Sequence, residues 1–264
     1  MQMLIDVEGD GRPLVLIGGG LTGWLSWVPH QAQLRGSRRV ARAQLLAVQL
    51  GLEDRPLPAN YSVPLESRAL GAAIDDVQSE GAVDLVAWSY GALVTLDYAL
   101  DHPDRVRTLT LIEPPAFWVL DATQQIDEPS RSEREELERL HQEMIGDITE
   151  TQLARFAQLA ALAPPGTRPE DLPVWPVWVQ HRRSLRNGAA LFAHRDDAAR
   201  LRAFDRPVLL VKGTGSSHAL HRIIDVLDET MPRTDILELP GGHAPQIVSM
   251  NAFLARLATF HETP

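Results

Sequence analysis

An apolar run of strand length, Val83-Asp84-Leu85-Val86-Ala87-Trp88, is separated from an apolar stretch of helix length, Gly91 to Leu100, by only Ser89 and Tyr90. A chain that passes from strand to helix in two residues must turn very sharply. Side chains two before and two after the serine would collide with the neighbouring strand and helix, and those positions hold Ala87 and Gly91. Such a turn lifts the serine hydroxyl above the sheet edge and places backbone N–H groups at a helix N-terminus beside it. The plain rival is a chance Ala-x-Ser-x-Gly match in an alanine-rich chain, and the flanking strand and helix speak against it. Ser89 is therefore the candidate nucleophile, and the N–H groups beside it can stabilise an oxyanion.

Around this turn, strand-like runs alternate with helical patterns, which points to an α/β fold with a mostly parallel sheet flanked by helices. Residues 13–17 read as a buried strand running into Gly18-Gly19-Gly20, and residues 39–45 as a weaker strand. Residues 64–79 read as a helix, and 108–112 as a strand closed by Glu113-Pro114-Pro115. From 116 to 203 the pattern is helical with no clear strand. Leu137, Leu140, Met144 and Ile145 recur at helical spacing within 130–145, and 149–162 is a second amphipathic stretch. The sheet resumes at 207–211 and 235–239, and a last helix covers about 245–261. This organisation divides the chain into a core, 1–115 with 204–264, and an inserted helical cap, 116–203.

Serine is a weak nucleophile at neutral pH and needs a base. Nine histidines compete for that role. His243, in Leu239-Pro240-Gly241-Gly242-His243, alone combines flanking glycines with a place just beyond a strand's C-terminal end, where open α/β sheets build their sites. His102 sits in a solvated turn, and His141, His181 and His194 lie in the cap. His218 and His221 have metal-like helical spacing, but no third ligand is evident, so they read as exposed helix residues and no metal or cofactor is expected.

These residues together resemble the α/β-hydrolase superfamily over nearly the whole chain. The resemblance implies that the backbone N–H groups of Leu21 and Tyr90 form an oxyanion hole, although Gly19-Gly20 stands where most relatives have His-Gly. Most of the family carries its third triad member, an Asp, on the loop after the strand at 207–211. That loop reads Lys212-Gly213-Thr214-Gly215-Ser216-Ser217-His218 and has no carboxylate, while Asp225 and Asp228 fall too late. Glu113, at the end of the strand next to the serine's, is the replacement candidate. Its rival reading is structural, because Glu-Pro is widespread at this strand end. An acid so placed is similar to the zearalenone lactone hydrolases, as are Leu172-Pro173-Val174-Trp175 and the Gly-Gly-His loop.

The resemblance implies a serine hydrolase opening an ester or lactone of a bulky apolar substrate, most specifically a zearalenone-type lactone. General carboxylesterase, thioesterase and carbon–carbon hydrolase remain alternatives, since one triad serves them all. A non-hydrolytic ligand-binding protein of the same fold is the alternative of another class. Serine rather than a carboxylate at position 89 argues against haloalkane dehalogenase and epoxide hydrolase chemistry. Gly20, Trp24, Trp118, Trp175 and Trp178 are the candidate substrate contacts, with Trp88 assigned to packing within the turn. The net charge of −10 disfavours nucleic acid, and the absence of cysteine removes disulfides and thiolate sites. No signal peptide and no apolar run of roughly 18 residues is visible, so the chain is expected in the cytoplasm and off the membrane. A homodimer is left open.

Overall fold

The computed structural model describes residues 1–144 and 146–262. Ile145, read above as part of an apolar helix face, lies outside the described residues. Seven strands form one sheet: β1 (Ile5–Glu8), β2 (Pro13–Ile17), β3 (Arg39–Ala43), β4 (Val83–Trp88), β5 (Val106–Ile112), β6 (Val208–Gly213) and β7 (Thr234–Leu239). Their order is β1-β3-β2-β4-β5-β6-β7. All neighbours are parallel except β1, which pairs antiparallel with β3. This is the α/β-hydrolase architecture. β4 is buried at every residue, because helices cover both of its faces; this is why it reads as an unbroken apolar run rather than an alternating one.

Sequence periodicity misses β1. It is four residues long, half exposed and at the sheet edge, so it carries little apolar signal. The expected last helix is broken at Ser249 into Pro245–Val248 and Met250–His261. Ser249 has non-helical dihedrals, and its hydroxyl donates to the Pro240 carbonyl at 3.0 Å, tying the break to the loop before His243.

No strand occurs among the described residues between β5 and β6. The helices there divide between two cores. Phe117, Trp118, Leu191, Phe192, Leu201 and Phe204, near the ends of the segment, pack into the main core beside the sheet. Leu140, Met144, Leu153, Trp175, Trp178 and Leu185, in its middle, form a separate cluster that reaches Leu21 of the β2 loop. No described helix is long and apolar enough to cross a membrane.

Two desolvated imidazoles, half-buried His141 and buried His261, make stability depend on pH. Desolvation lowers His141 and His261 from 6.5 to about 4. Between these values the unfolded chain binds the protons that the folded chain refuses, so stability is full above about 6.5 and is lost as pH falls toward 4. Each group contributes at most ~1.4 kcal/mol per pH unit in that interval. The denaturant midpoint should therefore drop between pH 7 and pH 4, and His141→Gln should make the drop shallower. An unchanged slope in that variant would contradict the assignment for His141.

Candidate active site

The register places the site. Trp88 of β4 is opposite Ile112 of β5, and Ile112 is opposite Val211 of β6. Ser89 and Glu113 therefore emerge side by side at the C-terminal sheet edge. Ser89 N–H donates to the Ile112 carbonyl at 2.9 Å, and Glu113 N–H to the Val211 carbonyl at 3.1 Å.

Ser89 has φ 56° and ψ −129°, a conformation costing about 1–3 kcal/mol that tight surrounding packing must hold. The packing is visible at Gly91. A β-carbon there would stand 2.2 Å from the Gly18 carbonyl oxygen and 2.8 Å from Ile17 Cγ2, so no side chain fits. Ala87, on the other side, is fully buried.

His243 is set on the loop after β7. Its N–H donates to the Ala161 carbonyl at 2.9 Å, and its own carbonyl accepts from Trp88 Nε1 at 2.6 Å. The first of these contacts explains Gly242, where a β-carbon would lie 2.1 Å from Ala161 O. The imidazole is 95% buried and spans the two other groups. His243 Nε2 is 2.8 Å from Ser89 Oγ, and His243 Nδ1 is 2.7 Å from Glu113 Oε2. A carboxylate at Nδ1 selects the tautomer with the proton there, which leaves Nε2 free to accept from the serine.

Glu113 is completely buried, with φ 45°. Besides the imidazole, its carboxylate accepts from Gly213 N–H at 2.7 Å and from Ser216 Oγ at 2.6 Å. Three donors satisfy what would otherwise be a prohibitive buried charge. Ser216 was not among the residues singled out from sequence. It lies on the loop after β6 that has no carboxylate of its own, and no sequence signal marked its hydroxyl as the partner of Glu113. Ser216→Ala should lower kcat on a cleavable ester roughly tenfold with little change in KM, the worth of one hydrogen bond to a charged group. Ser216→Thr should restore most of it. Full activity in the Ala variant would show that the hydroxyl does not orient Glu113.

Tyr90 follows Ser89 in the chain, and Leu21 lines the same cavity as both. The Leu21 N–H has no hydrogen-bond acceptor among the described residues, and the Tyr90 N–H opens the helix Tyr90–Asp101, where none is available within the helix. Tyr90 is further tied down through its hydroxyl, 3.0 Å from that of Tyr61, which in turn donates to Glu66 at 2.7 Å. Glu66 also accepts from the N–H groups of Leu46 and Ala47, and its burial raises its carboxyl above the ordinary range.

A cavity of about 420 Å³ opens over Ser89 and His243. Gly20, Leu21, Trp88 and Tyr90 line its floor, and Leu137, Phe156, Leu159, Leu185 and Leu191 line its helical walls. The tryptophan expectation needs correction: of the candidate contacts named from sequence, Trp24, Trp118, Trp175 and Trp178 do not line this cavity. Trp24 lies half-buried under the Arg42 guanidinium, 5.8 Å from its ring centre. Trp118 is buried in the main core, edge-on to His194. Trp175 and Trp178 are buried against each other at 6.5 Å inside the helical cluster. Indole's large apolar surface was spent on joining helices, and smaller Leu and Phe side chains were left to face the space. Trp88, assigned to packing, does reach the cavity wall.

The two histidines with metal-like spacing have separate partners: His218 Nε2 meets Asp127 at 2.8 Å and His221 Nε2 meets the Gly213 carbonyl at 2.7 Å. A cluster of Asp97, His194 and Asp196 lies away from the cavity, but Arg200 holds both oxygens of Asp196, at 2.8 and 2.7 Å. The cluster thus already has its cation.

A family model described as the alpha/beta hydrolase family matches residues 14–257. The chain belongs to the alpha/beta hydrolase family. Among curated relatives, this hydrolase is 28% identical to a pimeloyl-[acyl-carrier protein] methyl ester esterase of Aeromonas hydrophila, over 98% of the chain and 99% of that protein. It is 36% identical to a 2-hydroxymuconate semialdehyde hydrolase of a Pseudomonas species, over 40% of the chain and only 37% of that protein. Solved structures similar in fold include a hydrolase from Pseudomonas aeruginosa, with TM-score 0.78, 18% identity and coverage of 99% of this chain and 94% of that one. A thermophilic esterase from Thermogutta terrifontis has TM-score 0.73, 17% identity and coverage of 98% and 94%. Esterase-type names thus recur among the relatives of this hydrolase, and at these identities the structural likenesses speak to fold alone.

Proposed function

We propose that this alpha/beta hydrolase is a serine hydrolase that cleaves a carboxylic ester or lactone by acyl transfer. The observation that carries the proposal is the continuous chain Ser89 Oγ, His243 Nε2, His243 Nδ1, Glu113 Oε2, with links of 2.8 and 2.7 Å. Ser89 Oγ attacks the ester carbonyl carbon while His243 Nε2 takes its proton. The carbonyl oxygen gains the negative charge and is met by the N–H groups of Leu21 and Tyr90. As the tetrahedral intermediate collapses, the carbon–oxygen bond to the alcohol breaks and His243 gives its proton to the departing oxygen. Water then attacks the acyl-enzyme, giving one proton to His243, and the acid leaves as Ser89 recovers its hydrogen. Glu113 stays ionised throughout and stabilises the imidazolium.

In this reading the helices between β5 and β6 act as a cap, supplying the apolar walls that hold the non-reacting part of the substrate. The relative aligned end to end, named as a methyl ester esterase, supports ester rather than carbon–carbon cleavage. Within esters, the acid on β5 and the largely apolar cavity support a bulky apolar lactone of the zearalenone type as the most specific substrate, with its alcohol remaining tethered after ring opening. The discriminating experiment has two parts. Labelling by a fluorophosphonate, lost in Ser89→Ala, is expected of an activated serine, and failure to label would favour the non-hydrolytic binding alternative. A chromatographic time course should then show zearalenone opening by the parent and not by Ser89→Ala. Labelling without ring opening would keep the serine hydrolase and discard this lactone.

A further inference from the structure

The charges facing the cavity distinguish between classes of ester. Among the described residues no Lys or Arg lines it, while Glu133 and Glu136 do. His141, also on the wall, is held down to about 4 by its burial and is neutral near pH 7. Glu133 uses both oxygens on the N–H groups of His218 and Ala219, at 3.2 and 2.8 Å. Glu136 meets, among the described residues, only the side chain of Arg155, at 3.5 Å, and Arg155 itself lies outside the cavity lining and is half exposed. Of the neutral polar side chains on the wall, Ser216 donates to Glu113, Ser217 accepts from the Leu220 N–H and Gln158 is exposed, which leaves one buried amide. Asn187 is 97% buried and lines the cavity. A β-carbon on Gly20 would stand 3.1 Å from its Nδ2, so the amide sits over the oxyanion loop.

From this inventory, and resting on the ester-hydrolase reading above, we infer that the cavity selects esters that carry no negative charge in either the acyl or the alcohol part, with Asn187 receiving one neutral polar group of the substrate. An anionic group brought into this space would lose its hydration, find no cation and face Glu136. Discrimination thus comes from an unfavourable contact with the wrong ligand as well as from apolar fit with the right one. The same field acts on the product. Hydrolysis creates a carboxylate beside Ser89, where no lining cation retains it, so the charge made by the reaction promotes departure of the acid.

The test uses a matched pair, methyl decanoate and monomethyl sebacate, which have the same chain length and the same methyl ester but end in a methyl or a carboxylate. Binding of each to full-length Ser89→Ala protein is measured by calorimetry at pH 7.5, and kcat/KM of each with the parent. The neutral ester should bind at least tenfold more tightly and show at least a tenfold higher kcat/KM. Glu136→Lys should shrink or invert the gap. Equal affinities, or no binding of the neutral ester, would overturn the inference. Selective binding of the neutral ester by a parent protein that neither cleaves an ester nor reacts with the fluorophosphonate would instead refute the hydrolase reading and leave the charge selection standing, so the two failures are distinguishable.

Discussion

Ser89→Ala is expected to lower kcat on a cleaved ester by about 10⁶-fold, the loss seen when a triad nucleophile is removed from a serine hydrolase. The deletion is one oxygen atom on a half-buried side chain, and the turn that presents it is held by Gly91, the Gly18 carbonyl and the end of β5 rather than by the hydroxyl. The thermal midpoint should therefore barely move. Some rate above that in water should survive if, as proposed, the N–H groups of Leu21 and Tyr90 meet the carbonyl oxygen. Single-turnover kinetics in the parent should show an acyl-enzyme that the variant cannot form. If the variant keeps even a tenth of the parent's kcat, Ser89 is not the nucleophile.

Glu113→Gln is expected to cost about 10⁴-fold in kcat with KM nearly unchanged. Gln has almost the same shape, so it can stay folded into the same pocket and still accept from Gly213 N–H. Its amide nitrogen would then point at His243 Nδ1, which must accept instead of donate. That places the ring proton on Nε2, facing Ser89 Oγ, and the imidazole can no longer take the serine's proton. The buried charge that stabilises the imidazolium is lost as well. Nitrogen-resolved NMR of His243 separates this account from a general loss of structure, since the tautomer should switch while the rest of the spectrum is kept. Near-parental turnover in Glu113→Gln would mean that the acid of this site is elsewhere.

Much of this site is legible in the residues. The elbow is local: a strand, a serine and a helix contiguous in the chain, with small residues where the turn has no room. His243 is legible because a Gly-Gly-His loop follows a recognisable strand. Glu113 follows from an absence, the carboxylate missing from residues 212–218, together with a strand-end glutamate that parallel pairing must bring alongside Ser89. Ser216 was not legible, since a hydroxyl in a polar loop carries no mark of the carboxylate it will meet. The tryptophans were misread for a related reason. Their positions along the chain are near the site, but whether an indole faces a cavity or a neighbouring helix depends on the rotation and packing of each helix.

The central strands, the parallel sheet and the candidate serine and histidine were legible in the sequence alone, because each rests on local steric demands and on apolar periodicity that any fold of this chain must satisfy. Only the tertiary structure decided which groups surround the carboxylate, which side chains bound the cavity and what charge it presents. Those depend on contacts between residues far apart in the chain: Glu113 with Ser216, Ala161 with His243, and Asn187 over Gly20. No local propensity encodes such distances. They arise when helices from between β5 and β6 bury their apolar faces over the sheet edge, and the groups left unburied by that packing are the ones that face the cavity.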